Sequence, residues 1–216
     1  MTMKKEFFDL PEFMKDRETY GFDWLEHVTA IPSPLVLVTT YKPNGNANAS
    51  LQSWLTFTNE NGFYCILSSV NKYGHLYSTI ADKKQLVLNF PSADVYKKCH
   101  LTIANNSDDG DELIPSGLTA EKATKVNAPL VKECFLNLEC EYEWEKEIFP
   151  GSYHVVMCVK VVNVHIDDEC YKQGGKGRYG DTGYLYNIHS PMNPENGAVE
   201  ETYIATINKL KTYDEL

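Results

Sequence analysis

The sequence predicts a mainly β protein, a β-barrel with peripheral helices, and three observations carry this prediction. At least five segments are apolar, β-branched and short enough to be strands. Turn-forming residues separate these segments, and long helical patterns are few. The 216 residues are 43% hydrophobic, which is enough to bury a sizeable core. We therefore expect a barrel-like sheet with helices around it.

The first predicted strand covers residues 35–41, because LVLVTTY is apolar and β-branched almost throughout. The run Pro43 to Asn46 follows it and predicts a hairpin turn. Further strands are expected over residues 62–69, 85–90, 135–145 and 153–166. Helices are expected over residues 73–81, from Ser92 towards Cys99, over 119–125, and at the C-terminus through Val199, Tyr203, Ile207 and Leu210. Loops are expected over residues 104–117 and 174–183.

Residues 47–57 form a period-two strand whose two faces differ in chemistry. The small, apolar face consists of Ala47, Ala49, Leu51, Ser53, Leu55 and Phe57. The polar face consists of Asn48, Ser50, Gln52, Trp54 and Thr56. Compact hydrogen-bonding groups stand where a solvent-exposed strand more often carries Lys and Glu, so this face suits a planar ligand with polar edges. A polar barrel lining or an ordinary surface strand would show the same pattern.

The segment from Ser68 to His75 predicts a phosphate site. It joins a strand to a helix, and the main-chain amides at a helix N-terminus attract anions. Lys72 would supply the countercharge, and Ser68, Ser69 and Thr79 would supply neutral donors. His75 either adds a donor or is a surface histidine without a role. Many strand-to-helix turns share this pattern, so alone it is weakly specific.

Charge and composition exclude several classes of partner. The net charge of -10 argues against nucleic acid, and the lysine pairs at residues 83–84 and 97–98 indicate solvated faces. No apolar run approaches the ~20 residues of a membrane helix, and no secretory signal opens the chain, so we expect a cytoplasmic protein. None of the six cysteines forms a Cys-x-x-Cys pair, so we expect no metal site.

No residues form a recognisable catalytic set. The chain lacks a Gly-x-Ser-x-Gly elbow, and the glutamates of residues 139–145 alternate with apolar residues and are expected to face solvent. Any chemistry is therefore assigned to a bound cofactor. The glycine-rich segment 174–180 lacks the ending of a phosphate-binding loop. It indicates a flexible loop, or a flap that brings Arg178 or Tyr179 over a ligand.

Several short motifs occur in a characteristic order. They are Pro32-Ser33-Pro34 before LVLVTT, Asn44-Gly45, Asn46 to Ser50 leading to Ser53-Trp54, Ser68-Ser69 before a helix with Thr79, Leu86 to Phe90, Ser116 to Thr119, Ala128-Pro129-Leu130 and Leu138-Glu139-Cys140. This set, over about residues 22–170, closely resembles the flavin reductase-like proteins of the flavoredoxin type, which have the FMN-binding split β-barrel fold. The resemblance implies one domain over residues 1–216, with a core of about 22–170 and a C-terminal extension, 171–216.

The resemblance also implies a homodimer with flavin mononucleotide (FMN) near the subunit interface. It assigns the isoalloxazine ring to Asn48, Ala49, Ser50, Leu51, Gln52, Ser53 and Trp54, and the phosphate to Ser68, Ser69, Lys72, His75 and Thr79, with Asn89 close by. Trp54 either stacks near the ring or fills the core. Many relatives have Arg in the phosphate turn, whereas Lys72 is a point charge without bidentate geometry, which predicts weaker binding.

The resemblance implies an NAD(P)H:flavin oxidoreductase or a flavoredoxin-like electron carrier, with NAD(P)H as the electron donor. Two alternatives stay open. A non-catalytic barrel that holds a hydrophobic or heme-like ligand would suit the valine-rich strands equally well. A pyridoxamine phosphate oxidase-like enzyme shares the split barrel, although no arginine-rich phosphate set favours it.

Overall fold

A computed structural model describes residues 3–7, 11–12, 24–188, 196, 198 and 203–215. Two compact units are present, one of Met1–Ser33 with Tyr186–Ala205 and one of Pro34–Leu185 with Thr206–Leu216. The second unit contains all thirteen residues predicted to bind FMN. The organisation as a single domain stays a prediction.

Strands dominate the described residues, which confirms the mainly β fold with peripheral helices. The helices are α1 (Trp24–Thr29), α2 (His75–Lys83), α3 (Ala93–Ala104) and α4 (Asp168–Lys172), with 3₁₀ turns at Gly174–Arg178 and Tyr213–Glu215. The strands are β1 (Ser33–Pro34), β2 (Val36–Tyr41), β3 (Ala47–Gln52), β4 (Leu55–Asn59), β5 (Phe63–Asn71), β6 (Gln85–Phe90), β7 (Ala120–Lys122), β8 (Pro129–Val131), β9 (Leu136–Glu147), β10 (His154–Ile166), β11 (Leu185–Asn187) and β12 (Ile204–Thr206).

The main sheet has seven strands in the order β3-β2-β6-β9-β10-β5-β4, and every neighbouring pair is antiparallel. Its two edge strands, β3 and β4, are separated in the chain only by Ser53 and Trp54. The Cα atoms of Gln52 and Leu55 are therefore at most about 11 Å apart. The sheet must curl until its edges approach each other, although they are not paired in the ladder. The result is a barrel that is not fully closed.

At β2 both faces of this sheet are buried, and its sequence shows how this is achieved. Val36 and Val38 lie in the largest apolar cluster, whereas Leu37 lies in a second cluster with residues of α3. Alternate residues of a strand point to opposite faces, so a nearly continuous apolar run supplies both clusters. The six cysteines are buried and free, and burial raises the pKa of the Cys65 thiol to about 12, far from the range of a reactive thiolate.

Several predicted elements are confirmed and four differ. The predicted strands at residues 35–41, 62–69, 85–90, 135–145 and 153–166 correspond to β2, β5, β6, β9 and β10, and the predicted helices at 73–81 and after Ser92 correspond to α2 and α3. The strand predicted over 47–57 is two strands, residues 119–125 contain β7, and residues 174–178 form a 3₁₀ turn. Residues 204–206 form β12 instead of a helix, while Val199 lies outside the described residues.

Partners distant in the sequence explain the error at residues 119–125. Thr119 was expected to cap a helix, but its carbonyl accepts the main-chain N–H of Lys132 at 3.0 Å, and Ala120 pairs with Val131. A short segment with weak local preference adopts the structure that its pairing partner favours. At the 3₁₀ turn, Gly177 approaches the Cys170 carbonyl so closely that an added Cβ would lie 2.5 Å from its oxygen. This contact requires glycine and orders the turn.

Candidate functional site

The two predicted faces of β3 are present, and a different helix covers each of them. Ala47 and Ala49 pack in a cluster with Val95 and Cys99 of α3. On the other face, Asn48 is paired with Thr40 of β2, and the Thr40 hydroxyl lies 2.7 Å from the hydroxyl of Thr79 on α2. Directly opposite residues in an antiparallel pair point to the same side, so Asn48 faces the α2 side of the sheet.

The α2-facing side of β3 holds an unsatisfied hydrogen-bond donor. Asn48 is 2% exposed, and its amide nitrogen has no hydrogen-bond partner among the residues that the structure describes. Leaving a buried donor without an acceptor costs about 1–3 kcal/mol, so an acceptor from a ligand would remove a real penalty. Ser50 and Gln52 are half-buried on the same side, and the Gln52 amide donates to the Ser50 hydroxyl at 3.0 Å.

The remaining residues of this predicted ring-binding segment point elsewhere or lie at its end. The main-chain N–H of Ala49 donates to the Glu112 carboxylate at 2.8 Å, and Leu51 packs on the α3 side. Ser53 is buried, and Trp54 is 37% exposed. Asn48, Ser50 and Gln52 are therefore the side chains of β3 that share the α2-facing side, and Trp54 stands in the two-residue link between β3 and β4.

A β-bulge connects this segment to the predicted phosphate segment. Ser68 and Ser69 of β5 together stand opposite the single residue Val156 of β10. The Trp54 carbonyl accepts the main-chain N–H of Ser68 at 2.8 Å and its hydroxyl at 2.9 Å. Bulges re-aim side chains and are frequent beside functional sites. The structure thus brings the two segments together, with the Ser68 hydroxyl used and Ser69 half-buried beside it.

The predicted countercharge, Lys72, is already paired. Its ammonium lies 2.5 Å from a carboxylate oxygen of Glu147 on β9, and Glu147 also accepts the main-chain N–H of Gly151 at 2.9 Å. The hydrogen bond from Lys72, followed by the one from Gly151, lowers the pKa of Glu147. A phosphate near Lys72 would therefore meet a carboxylate that competes for the same cation.

His75 begins α2 and contacts the loop of residues 105–113. Its Nδ1 lies 2.8 Å from Oδ1 of Asn106, and its Nε2 lies 2.9 Å from Oδ1 of Asp108. The imidazole is thus bound to protein groups. The first main-chain amides of the helix, those of His75, Leu76 and Tyr77, have no partner within the helix and form its anion-attracting end.

Two predicted residues use their polar groups in the core. The Thr79 hydroxyl donates to the His75 carbonyl at 2.8 Å. Asn89 is fully buried, its amide donates to the carbonyl of Leu37 at 2.9 Å, and its Oδ1 accepts the main-chain N–H of Val131 at 2.9 Å. Because these groups are satisfied by the protein, we do not include Thr79 and Asn89 among the ligand contacts proposed below.

The sequence reasoning missed a buried ion pair that fastens the 105–113 loop to the sheet. Lys42 and Glu112 are both nearly inaccessible, with 2.8 Å between the ammonium and the carboxylate. The Lys42 ammonium also donates to the carbonyls of Ser107 at 2.5 Å and Gly110 at 2.7 Å. The only sequence signal is an acidic loop far along the chain from a turn lysine. That signal does not show that the two are in contact.

The expectation that Glu139 faces solvent was wrong. Its side chain is 0% exposed, and its carboxylate accepts hydrogen bonds from the main-chain N–H groups of Thr124 (2.9 Å), Lys125 (2.5 Å) and Val126 (3.0 Å), from Asn163 (2.8 Å), and contacts His165 Nε2 (2.5 Å). Burial acts to raise its pKa, but the bond to His165 and the amide bonds outweigh this and lower it to about 2. Glu141 and Glu143 are exposed, as predicted.

Two further predictions concern a flap and a metal. Arg178 donates to the Gly174 carbonyl, and the ring of Tyr179 lies 6.1 Å from that of Tyr184, so both side chains contact nearby residues of their own segment. Within the described ranges, no group of three or more His, Cys, Asp or Glu side chains could hold a metal ion. No helix in the same ranges combines the length and apolar character that crossing a membrane demands.

Comparison with known proteins identifies a family and a fold. The family described as "Flavin reductase like domain" matches residues 28–186. An uncharacterized protein of Methanothermobacter thermautotrophicus is 26% identical over 146 residues, a match that covers 65% of this chain and 66% of that protein. The chain thus covers slightly less than two thirds of that relative's length.

Two solved structures are similar in fold. A structure described as a flavin reductase with a split barrel domain, from Shewanella frigidimarina, has a TM-score of 0.69 at 19% identity and covers 87% of this chain and 88% of its own. The flavoredoxin of Desulfovibrio vulgaris has a TM-score of 0.65 at 18% identity and covers 91% of this chain and 97% of its own. Together with the incompletely closed sheet, they confirm the predicted split β-barrel.

Proposed function

Since the chain belongs to the flavin reductase-like domain family, we propose that it binds FMN on the Asn48 side of β3 and transfers electrons from NAD(P)H through it. One observation carries the placement of the flavin: within the described part of the chain, the buried amide nitrogen of Asn48 lacks a hydrogen-bond partner. A flavin ring has carbonyl oxygens and ring nitrogens along its edge that accept hydrogen bonds. A ring beside β3 would satisfy this donor and cover the half-buried Ser50 and Gln52.

The phosphate end of FMN fits the segment after the bulge. Lys72 supplies a cation, and the first amides of α2 supply oriented donors. Ser69 adds a hydroxyl beside them. The bond from Ser68 to the Trp54 carbonyl holds this segment against the end of β3, and in this proposal one molecule spans the ring and phosphate contacts.

Bound flavin would supply the redox chemistry, since no side-chain set for hydride transfer is visible in the described residues. The chain's own residues bind and orient it. Asn48, Ser50 and Gln52 hold one edge of the ring, Trp54 lies just after the end of β3, and Lys72 balances the phosphate charge. We choose FMN over a dinucleotide flavin because the segment from Ser68 to His75 offers one lysine, which suits the single phosphomonoester of FMN.

We also propose a homodimer, supported by large apolar side chains that are exposed on or next to three adjacent strands of the sheet, on both of its faces. Phe63 is 42% exposed, Trp144 is 48% exposed, and Tyr153 is 68% exposed, on or next to the adjacent strands β5, β9 and β10. Exposed aromatic side chains are enriched at protein interfaces, so we assign these residues to contacts between two copies of the chain. Sedimentation equilibrium should give twice the chain mass, and Trp144→Glu should shift the protein towards monomer. A monomer mass for the unaltered chain would contradict the proposal.

The flavin proposal is tested by titration of the purified protein with FMN, FAD and riboflavin, followed by visible absorbance and flavin fluorescence. FMN should bind most tightly. Lys72→Gln should weaken FMN binding by about 10-fold, the loss of one charge-assisted hydrogen bond, and leave riboflavin unchanged because riboflavin has no phosphate. Lys98→Gln, an exposed lysine on α3, is the matched control. Failure to bind any flavin overturns the proposal.

Rapid mixing with NADH and NADPH separates the proposed function from the alternatives. Bleaching of bound flavin within milliseconds to seconds supports an oxidoreductase. A flavin that stays oxidised indicates a binding module without this activity. Release of hydrogen peroxide from pyridoxamine phosphate would instead support the oxidase-like alternative.

A further inference from the structure

A cavity lies in the same compact unit as the proposed flavin site, and none of the residues assigned to FMN lines it. Its volume is about 750 Å³, within the range of roughly 300–1,000 Å³ typical of small-molecule sites. It lies at the C-terminal end of α2, about 12 Å of helix from His75 at the N-terminal end. Its lining includes Tyr41, Lys42, Lys83, Lys122, Lys125 and Asn127.

The charge of this cavity is opposite to that of the chain. The protein has 30 acidic and 20 basic residues, but among the described residues four lysines and no Asp or Glu line the cavity. The Lys42 ammonium is bound by Glu112, and Lys83 pairs with Asp82 at 2.7 Å. Lys122 and Lys125, both exposed, form no ion pair with any residue that the structure describes. Two cations are therefore available to a ligand.

The wall that carries Lys125 is fixed before any ligand binds. The Glu139 carboxylate accepts the main-chain N–H groups of Thr124, Lys125 and Val126, and Gln85 accepts that of Asn127 at 2.8 Å. Four consecutive residues are thus anchored to the sheet by their amides. A preformed wall reduces the ordering cost of binding, so this segment is better suited to a ligand than a free loop would be.

We propose that this cavity binds a small phosphorylated organic molecule of the nucleoside diphosphate class. Lys122 and Lys125 would pair with phosphate oxygens, and the side chains of Thr124 and Asn127 would add neutral hydrogen bonds. The lining also contains apolar groups and the ring of Tyr41, against which an organic part can pack. None of the residues assigned to FMN lines this cavity, so the inference does not depend on the flavin proposal.

The test is calorimetric titration of the full-length protein, with and without added FMN, with ADP, inorganic pyrophosphate and adenosine as probes. ADP should bind with a submillimolar dissociation constant, and adenosine at least about 10-fold more weakly, because it lacks the phosphates that the lysines recognise. The double substitution Lys122→Gln with Lys125→Gln should weaken ADP binding by about 10- to 100-fold and leave FMN binding unchanged.

The matched control is Lys97→Gln with Lys98→Gln, which removes the same charge from exposed positions on α3. It should leave ADP binding unchanged. Equal weakening by both double variants would show non-specific attraction and overturn the proposal. Absence of heat with ADP at millimolar concentration, or equal affinity for ADP and adenosine, would also overturn it. Tighter binding of pyrophosphate than of ADP would also overturn it, because the organic part would then add nothing to binding.

Discussion

Two polar clusters on the same sheet differ in how completely the protein satisfies them. Around Glu139, main-chain amides and two side chains surround a fully buried carboxylate and leave it no need for a ligand. On the α2-facing side of β3, Asn48 is as deeply buried, but its amide nitrogen has no partner. A satisfied buried cluster stabilises the fold, whereas an unsatisfied buried donor needs an explanation, and in our proposal that explanation is the bound flavin.

The largest expected effect is a loss of stability when the hydrogen-bonded cluster around Glu139 is disrupted. Glu139→Ala should lower the free energy of unfolding by about 3–5 kcal/mol, because it leaves several buried donors without an acceptor. Urea denaturation followed by circular dichroism measures this. Glu141→Ala, on the same strand but exposed, should change it by less than about 0.5 kcal/mol. Equal effects of the two substitutions would show that the Glu139 cluster does not stabilise the fold.

Lowering the pH should reduce the stability that the Glu139 cluster contributes to the fold. The pKa of Glu139 is lowered from 4.5 to about 2, so the folded state binds this proton less readily than the unfolded state. Its stabilisation is complete above about pH 4.5 and disappears as the pH falls towards 2, a loss of about 3 kcal/mol. The stability difference between the unaltered protein and Glu139→Ala should therefore narrow between pH 6 and pH 2.5. A constant difference would contradict the assignment.

Substitution of Asn48, whose amide nitrogen is unsatisfied, should affect FMN binding more than it affects stability. Without flavin, Asn48→Ala should change the free energy of unfolding by less than about 1 kcal/mol, since no hydrogen bond of its amide nitrogen is lost. With FMN, it should weaken binding by about 10-fold. Asn89→Ala is the contrast, because the amide of Asn89 is satisfied on both sides and its loss should cost about 2–3 kcal/mol.

The smallest expected effect is on FMN affinity, and it concerns Glu147, whose carboxylate pairs with Lys72. Glu147→Gln should tighten FMN binding by about 3- to 5-fold, because the phosphate no longer competes with a carboxylate for the ammonium. Riboflavin should bind equally well to both proteins. Glu143→Gln, exposed on the same strand, is the control for net charge. Weaker FMN binding by the Glu147 variant would place the phosphate away from Lys72.

The strands of the barrel were predictable because each carries its own pattern. Residues 85–90 were predicted with their exact bounds, since the run is apolar and ends at Pro91. The two-faced character of β3 was also predictable, because period-two alternation depends only on local geometry. The break at Ser53 and Trp54 was not, since alternation continues across it and only the positions of the two edge strands reveal it.

One sequence could not predict which polar side chains are already hydrogen-bonded within the protein. Glu139 belongs to a regular row of glutamates, and nothing local separates it from the exposed Glu141. Its partners lie at residues 124–126 and 163–165, and the fold alone brings them together. The same limit applies to Asn89 and Thr79, whose residue types suit a ligand and the core equally well. Sequence finds polar residues, and only the fold shows which are already in use.

The two-residue link between β3 and β4 has a consequence for motion. Ser53 and Trp54 hold the two outermost strands together at one end, and the 105–113 loop holds β3 at its other end. The main-chain N–H groups of Ala47 and Ala49 donate to the carboxylates of Asp111 and Glu112, and the Ala47 carbonyl accepts the N–H of Glu112. This edge of the barrel is therefore fixed at both ends. Amide hydrogen exchange at Ala49 should be slow in the unaltered protein and faster in Glu112→Ala, which removes the acceptor of its N–H.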